Sequence, residues 1–188
     1  KARGICPNSS SYYMRGLRAV YNRAVEKELT VQRNPFKHVY TGIDKTVKRA
    51  VPLKIIRQIR DADLTLTPAT DYARDLFIFS FYTRGMSFVD MAYLRKKDLQ
   101  NGVLAYRRQK TGQQLFIKWE KPMQEIVEKY DTSGTPYLLP IIRDMEKDAR
   151  RQYKNAAHLV NAKLKKLGEQ LGLCIPLTTY VARHAWAS

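Results

Sequence analysis

A chain of 188 residues with 44% hydrophobic content has enough apolar material for a real core, in one medium domain or one domain plus part of another, which excludes a disordered tail. Its 34 basic against 17 acidic residues leave a formal charge of +17, and a folded domain with that self-repulsion points to a polyanionic partner. No apolar run approaches the ~20 residues that span a bilayer, and no signal peptide or basic amphipathic helix stands out, which argues against a membrane; Cys6 and Cys174 are too few for a disulfide framework or a zinc site and fit a reducing cytoplasm.

In chain order, residues 9–28 predict a helix, with Ser9 to Ser11 as caps and Tyr13, Leu17, Val20, Tyr21, Ala24 and Val25 recurring as its inward face. Its other side carries Arg15, Arg18, Arg23 and Lys27, a stripe that can track a phosphate backbone or simply face solvent. Asn34-Pro-Phe36 breaks the chain, and residues 37–50, polar and basic with Lys45, Lys48 and Arg49, read as an interdomain linker lying along a nucleic acid, with the boundary near residue 47. Pro52 starts a helix that buries Ile55, Ile56 and Ile59. Residues 68–82 are apolar nearly all round, which marks a central core helix. Thr83-Arg-Gly-Met86 is a turn, and Ser87-Phe-Val-Asp90 has the form of a capping box.

From Leu99 the period changes. Asn101-Gly102 and Lys110-Thr-Gly112 are turns around Val103, Leu104 and Tyr106 and around Leu115, Phe116 and Ile117, so an antiparallel hairpin is expected with Arg107, Arg108 and Lys110 crowded at its tip. A helix over 122–130, a loop, a short extended piece at Tyr137-Leu-Leu-Pro140 and a long helix over roughly 146–171 follow, the last ended by Gly172 and Pro176. The chain closes on a segment whose Thr178-Thr179 pair suits N-capping and which puts Tyr180, Arg183 and His184 within one helical turn. A polar turn followed by arginine can hold a phosphate, because backbone N–H groups and a guanidinium fork reach the same oxygens. The whole predicts a mostly α fold with a small antiparallel β-sheet (α+β). Beginning on Lys1 and stopping just after an arginine–histidine pair, it reads as a fragment.

Four segments occur in one order: Phe77-Ile-Phe-Ser-Phe-Tyr-Thr-Arg-Gly-Met-Ser-Phe-Val-Asp-Met-Ala-Tyr-Leu94, the hairpin Tyr106-Arg-Arg-Gln-Lys-Thr-Gly112, the long helix, and Leu177-Thr-Thr-Tyr-Val-Ala-Arg-His-Ala-Trp-Ala187. Together they resemble the tyrosine recombinases, or phage-type integrases, with a look of the integrases of conjugative and mobilisable elements of gut bacteria. The resemblance implies that residues 1–47 are the C-terminal part of a helical, SAM-like core-binding domain and its linker, and residues 48–188 a catalytic domain truncated at its C-terminus. It implies cytoplasmic site-specific recombination and DNA integration, a C-shaped clamp on double-stranded DNA and, for the full-length enzyme, self-association as a tetramer. The family's chemistry uses no metal or other cofactor. A tyrosine hydroxyl attacks a DNA phosphodiester, and arginines stabilise the charge gathering on the non-bridging oxygens. By the same resemblance Arg183 grips the scissile phosphate and Lys110 protonates the leaving 5′-oxygen. Arg15, Arg18, Arg23, Lys45, Lys48, Arg49 and Arg107 are the expected DNA contacts.

Three departures from the family pattern stand out. Tyr180 occupies a position usually held by His; a phenol donates a hydrogen bond but is a poor base near neutral pH. Ser87 stands where the first catalytic arginine is expected, so Arg84 or Arg108 must substitute for it. His184 is the histidine that follows the motif arginine, a supporting residue, and none of the twelve tyrosines fits the nucleophile's place. The polypeptide is therefore expected to bind DNA without cleaving it. The alternative is a non-enzymatic DNA-binding protein whose hairpin and basic helix merely clamp duplex. An RNA-binding protein is disfavoured by the large apolar core and the lack of an exposed aromatic signature.

Overall fold

The structure is a computed structural model and describes residues 4–45, 49–64 and 67–187. Contacts divide the chain into two units, Lys1–Val47 and Lys48–Ser188.

The first unit is one helix with a return segment folded on it. Helix α1 (Pro7–Glu26) starts at Pro7, whose fixed φ and missing N–H suit a first turn, with Cys6 at the N-cap position. The serines expected as caps lie inside the helix. Ser11 is fully buried and donates to the Gly42 carbonyl at 2.5 Å. The Asn8 amide exchanges two bonds with the Asp44 backbone: Nδ2 donates to the Asp44 carbonyl at 3.1 Å, and Oδ1 accepts the Asp44 N–H at 2.7 Å. Tyr21 donates to the Val31 carbonyl and accepts from the Arg33 N–H, at 3.1 and 2.8 Å. Part of the expected linker thus packs on α1, along the side carrying Ser11 and Tyr21. Of the stripe expected to point inward, Tyr21, Ala24 and Val25 are half-buried, while Tyr13, Leu17 and Val20 are 61%, 55% and 69% exposed.

The second unit runs α2 (Leu53–Arg60), α3 (Pro68–Tyr82), α4 (Phe88–Tyr93), a 3-10 turn (Lys96–Asp98), β1 (Leu99–Gln100), β2 (Val103–Arg107), β3 (Gln114–Lys118), α5 (Lys121–Glu128), α6 (Ala149–Gln170) and α7 (Thr179–Trp186). It is mostly helical with one small antiparallel sheet, in the order β1-β2-β3, as the α+β pattern requires. Helix α3 is the hub, packed against α2, α5, α6 and α7, with Leu76, Phe77 and Phe79 wholly buried. Asn101 and Gly102 both take positive φ, the geometry a two-residue hairpin turn demands, and the β2–β3 register pairs Ala105 with Phe116 and Tyr106 with Leu115.

One feature of α3 escaped the apolar reading. Asp75 is 5% exposed and accepts from Arg74 Nε (2.7 Å), Lys129 Nζ (2.8 Å) and the Tyr130 hydroxyl (2.7 Å). Asp71 also pairs with Arg74 and Lys129, while Arg74 Nη1 donates to the Arg60 and Ala62 carbonyls, so buried charge staples α2, α3 and α5 together. Boundaries shift elsewhere by a residue or three. Pro52 sits at an N-cap position, α5 ends at Glu128, and α6 begins at Ala149 under an Asp148 cap. Among the described residues no helix is long and apolar enough to cross a membrane.

Candidate active site

Three structural elements in the second unit converge on one cavity. The first is the turn after α3. There Thr83 Oγ1 donates to the Phe79 carbonyl (2.7 Å), Ser80 Oγ to the Met86 carbonyl (2.8 Å) and the Gly85 N–H to the Ser80 carbonyl (2.8 Å). Arg84 and Gly85 take φ of 59° and 73°, a left-handed pair that turns the chain back sharply. At Gly85 the absence of a side chain is required twice. Besides the positive φ, a Cβ there would stand 2.8 Å from the Arg183 Cα.

The second element is the hairpin tip. The Arg108 N–H donates to the Gln113 carbonyl (2.9 Å) and the Gly112 N–H to the Arg108 carbonyl (2.8 Å), closing the loop that carries Lys110. This loop is tethered from below by Asp90, 4% exposed, whose Oδ1 accepts the Gln109 N–H at 2.9 Å. Its Oδ2 accepts the Ser87 hydroxyl at 2.6 Å, while Ser87 Oγ accepts the Asp90 N–H. Ser87 is thus the cap its spacing suggested, and Asp90 reaches back to the hydroxyl and across to the hairpin at once. Asp90 was legible as a capping residue, but its hold on Gln109 depends on a long-range approach that no local pattern encodes.

The third element is α7. Thr178 occupies its N-cap position without a side-chain cap bond; the orphan N–H of Thr179 is taken instead by Asn161 Oδ1 of α6 at 3.0 Å. Arg183 lies in the last turn, away from the helix start, and its Nε donates to the Gly85 carbonyl at 2.6 Å. That bond aims the guanidinium toward the turn after α3.

The cavity so formed has a volume of about 350 Å³ and is lined by Arg84, Arg108 and Arg183 together with Thr83, Gly85, Tyr106, Gln113 and the apolar side chains Leu115, Phe116, Ile117 and Trp186. Among the described residues no carboxylate lines it and no ion pair neutralises any of the three arginines. Burial, with the Asp90 charge adding to it, pushes the Tyr106 phenol up to about 12 against the pull of Arg108 and Arg183. Tyr106 therefore stays a neutral hydroxyl at physiological pH.

Both candidates for the missing first arginine, Arg84 and Arg108, stand in the same cavity as Arg183. Lys110 is exposed on the hairpin loop and is not among the lining residues. Tyr180, 54% exposed, packs edge-on against His184 with ring centroids 4.6 Å apart, and neither lines the cavity. Arg107 is exposed at the end of β2, and Arg49 is exposed ahead of α2. In the first unit Arg15, Arg23 and Lys45 are exposed, and Arg18 reaches Thr41 Oγ1 at 3.4 Å. Lys48 lies outside the described residues.

Comparison with solved structures finds this fold in structures of an integrase and a recombinase. A crystal structure of a lambda integrase dimer bound to a COC′ core site superposes with a TM-score of 0.61 at 14% identity, over 90% of this chain and 48% of that one. A lambda integrase(75–356) dimer bound to the same core site gives 0.59 at 15% identity, over 91% and 60%. The XerA recombinase gives 0.50 at 15% identity, over 90% and 58%. The chain therefore spans roughly half to three-fifths of the length of these proteins. No protein-family model and no curated protein matches its sequence. What the superpositions establish is the fold: a mostly helical chain with one small three-stranded antiparallel sheet, shared with the lambda integrase structures.

Proposed function

We propose that these residues belong to a DNA strand transferase of the tyrosine-recombinase kind, which breaks and rejoins DNA through a phosphotyrosyl intermediate. The observation that carries the reading is the cavity, where three uncompensated guanidiniums meet and Arg183 is held in place by the Gly85 carbonyl. Such a constellation suits a phosphodiester, whose non-bridging oxygens gain charge as a fifth oxygen approaches phosphorus. Arg183 grips the phosphate, and Arg84 or Arg108 supplies the second guanidinium that Ser87 cannot. Lys110, on the loop that Asp90 tethers, protonates the leaving 5′-oxygen, and the Tyr180 hydroxyl donates to a phosphate oxygen. Arg15, Arg18, Arg23, Lys45, Lys48, Arg49, Arg107 and the overall charge hold the duplex, and the whole protein assembles as a tetramer on it. The finer reading as a mobile-element integrase rests on the order of the four motifs.

Tyr106, the tyrosine inside the cavity, is not the nucleophile in this reading. It lies in strand β2 and is buried, with its proton held up to about 12. The 188-residue chain is accordingly expected to bind duplex and to leave no covalent adduct on a suicide substrate. The decisive assay is strand cleavage by the whole protein. Arg183→Ala should abolish cleavage with site binding retained, and of Arg84→Ala and Arg108→Ala the true substitute should do the same. Lys110→Ala should be slow on ordinary DNA and rescued by a 5′-bridging sulfur, a leaving group that needs no proton. Full cleavage by Arg183→Ala would exclude the assignment.

A further inference from the structure

The phosphate-gripping role leaves half of the cavity unexplained. Phe116 sits in the middle of β3, between half-buried Leu115 and buried Ile117, yet is 65% exposed. Trp186, at the end of α7, is 48% exposed. Both line the same cavity as Arg84, Arg108 and Arg183, and Gln113 adds an amide at its edge. Two large aromatic faces left in water beside three cations, with no carboxylate between them among the described residues, make a poor seat for an acidic or purely apolar peptide. They suit a group that is flat and aromatic at one end and anionic at the other.

We propose that the cavity takes one nucleotide lifted out of the base stack, its phosphate at the arginines and its base against Phe116 and Trp186, with the Gln113 amide facing the base edge. The volume of about 350 Å³ fits one such unit, since it lies at the small end of the ~300–1,000 Å³ that ligand pockets occupy. A stacked base inside duplex cannot offer its face to a side chain, so the site selects unpaired or distorted DNA over intact duplex. The inference rests on the phosphodiester reading of the three arginines and adds to it a substrate state, a nucleotide exposed next to the phosphate.

The test uses the 188-residue chain, a fluorescent oligothymidylate and a duplex of equal length, with affinities measured across a range of salt. Phe116→Ala and Trp186→Ala should each weaken oligothymidylate binding by about tenfold, the effect of removing one stacking platform, with little change for duplex and none in salt slope. Arg84→Ala and Arg108→Ala should weaken both ligands and flatten the slope. Trp186 emission should be quenched by the oligonucleotide, and the Trp186→Phe variant should lose that response; Trp119, bonded to Gln124 and packed on Phe79, is the internal reference. Circular dichroism on each variant, with Phe116→Leu as the milder change, separates lost stacking from lost folding. Unchanged oligothymidylate affinity in the folded aromatic variants would overturn the proposal, as would lost self-association with DNA binding intact, which would mark the patch as a protein interface. If the arginine variants also bind normally, the phosphodiester reading fails with it; if they alone lose binding, that reading survives.

Discussion

Two regions of the second unit concentrate arginine and lysine, and they treat the charge in opposite ways. Between α2, α3 and α5, Arg74 and Lys129 close on Asp71 and Asp75, with Tyr130 adding its hydroxyl, so nearly every donor is answered within the protein. Around the cavity, Arg84, Arg108 and Arg183 share no carboxylate among the described residues. The first arrangement fixes helices and has nothing left to offer a ligand. The second holds like charges close at a cost in self-repulsion that a bound anion would relieve. Net charge alone, +17, could not distinguish them; the position of the acids does.

The largest expected effect comes from opening the answered network. Asp75→Ala leaves Arg74 Nε and the half-buried Tyr130 hydroxyl without their acceptor, with Asp71 alone to answer Arg74 and Lys129, and should cost about 3 kcal/mol in a urea titration. Asp75→Asn, which keeps an acceptor but not the charge, should fall between. Neither should alter the salt dependence of DNA binding in protein that remains folded.

Next in size is Gly85→Ala, which attacks the joint between the turn after α3 and α7. The new Cβ must occupy a left-handed φ of 73° and meets backbone, the Arg183 Cα, at 2.8 Å, so no flexible side chain can yield. A cost of about 2–3 kcal/mol is expected. Because the displaced segment carries Arg183, DNA affinity should fall as well, which Asp75→Asn would not reproduce.

A third test spans both regions through their tyrosines. Burial pushes Tyr72 and Tyr106 up to about 12, from an ordinary value of 10.0, and it raises Tyr130 too, with the Asp75 hydrogen bond adding to the shift. Between about pH 10 and 12 the unfolded chain releases phenolic protons that the folded chain retains. Stability should therefore be full below about pH 10 and fall as pH rises through that window, by about 1–2 kcal/mol for each of these tyrosines at pH 11. Urea midpoints read at each pH would show it, and Tyr106→Phe should flatten part of the fall.

The fold was legible where local chemistry and tertiary packing agree. The helix over 68–82, the turn that follows it, the Ser87–Asp90 cap, the turn at Asn101-Gly102 and the hairpin of Val103–Arg107 on Gln114–Lys118 all stand where spacing and turn residues put them. Helix α1 was legible in part. Of its apolar stripe Tyr21, Ala24 and Val25 are half-buried and Tyr13, Leu17 and Val20 exposed, because the bonds of Asn8, Ser11 and Tyr21 fix where the following chain lies. In the site, the arginines could be named from motif order. The Gly85–Arg183 bond, the Asp90 tether and the Asn161 cap join residues 98, 19 and 18 positions apart, and no periodicity reports such meetings. Phe116 left one trace, an aromatic on the solvent side of a strand whose neighbours are inward.

The smallest expected change in stability belongs to the cavity arginines, and it separates the two regions most cleanly. Arg84 is exposed and has no acid to lose, so Arg84→Ala removes repulsion from its two neighbours while giving up little packing. The same holds in kind for half-buried Arg108, whose backbone bonds to Gln113 and Gly112 do not depend on its side chain. Each substitution should shift stability by no more than about 0.5 kcal/mol, in either direction. Yet each should lower DNA affinity and reduce the slope of log affinity against log salt by about 0.9 for every phosphate left without its cation. Should Arg84→Ala or Arg108→Ala instead destabilise the fold as Asp75→Ala does and leave the slope intact, the cavity charges would be structural, and the contrast between an answered and an unanswered cluster would fail.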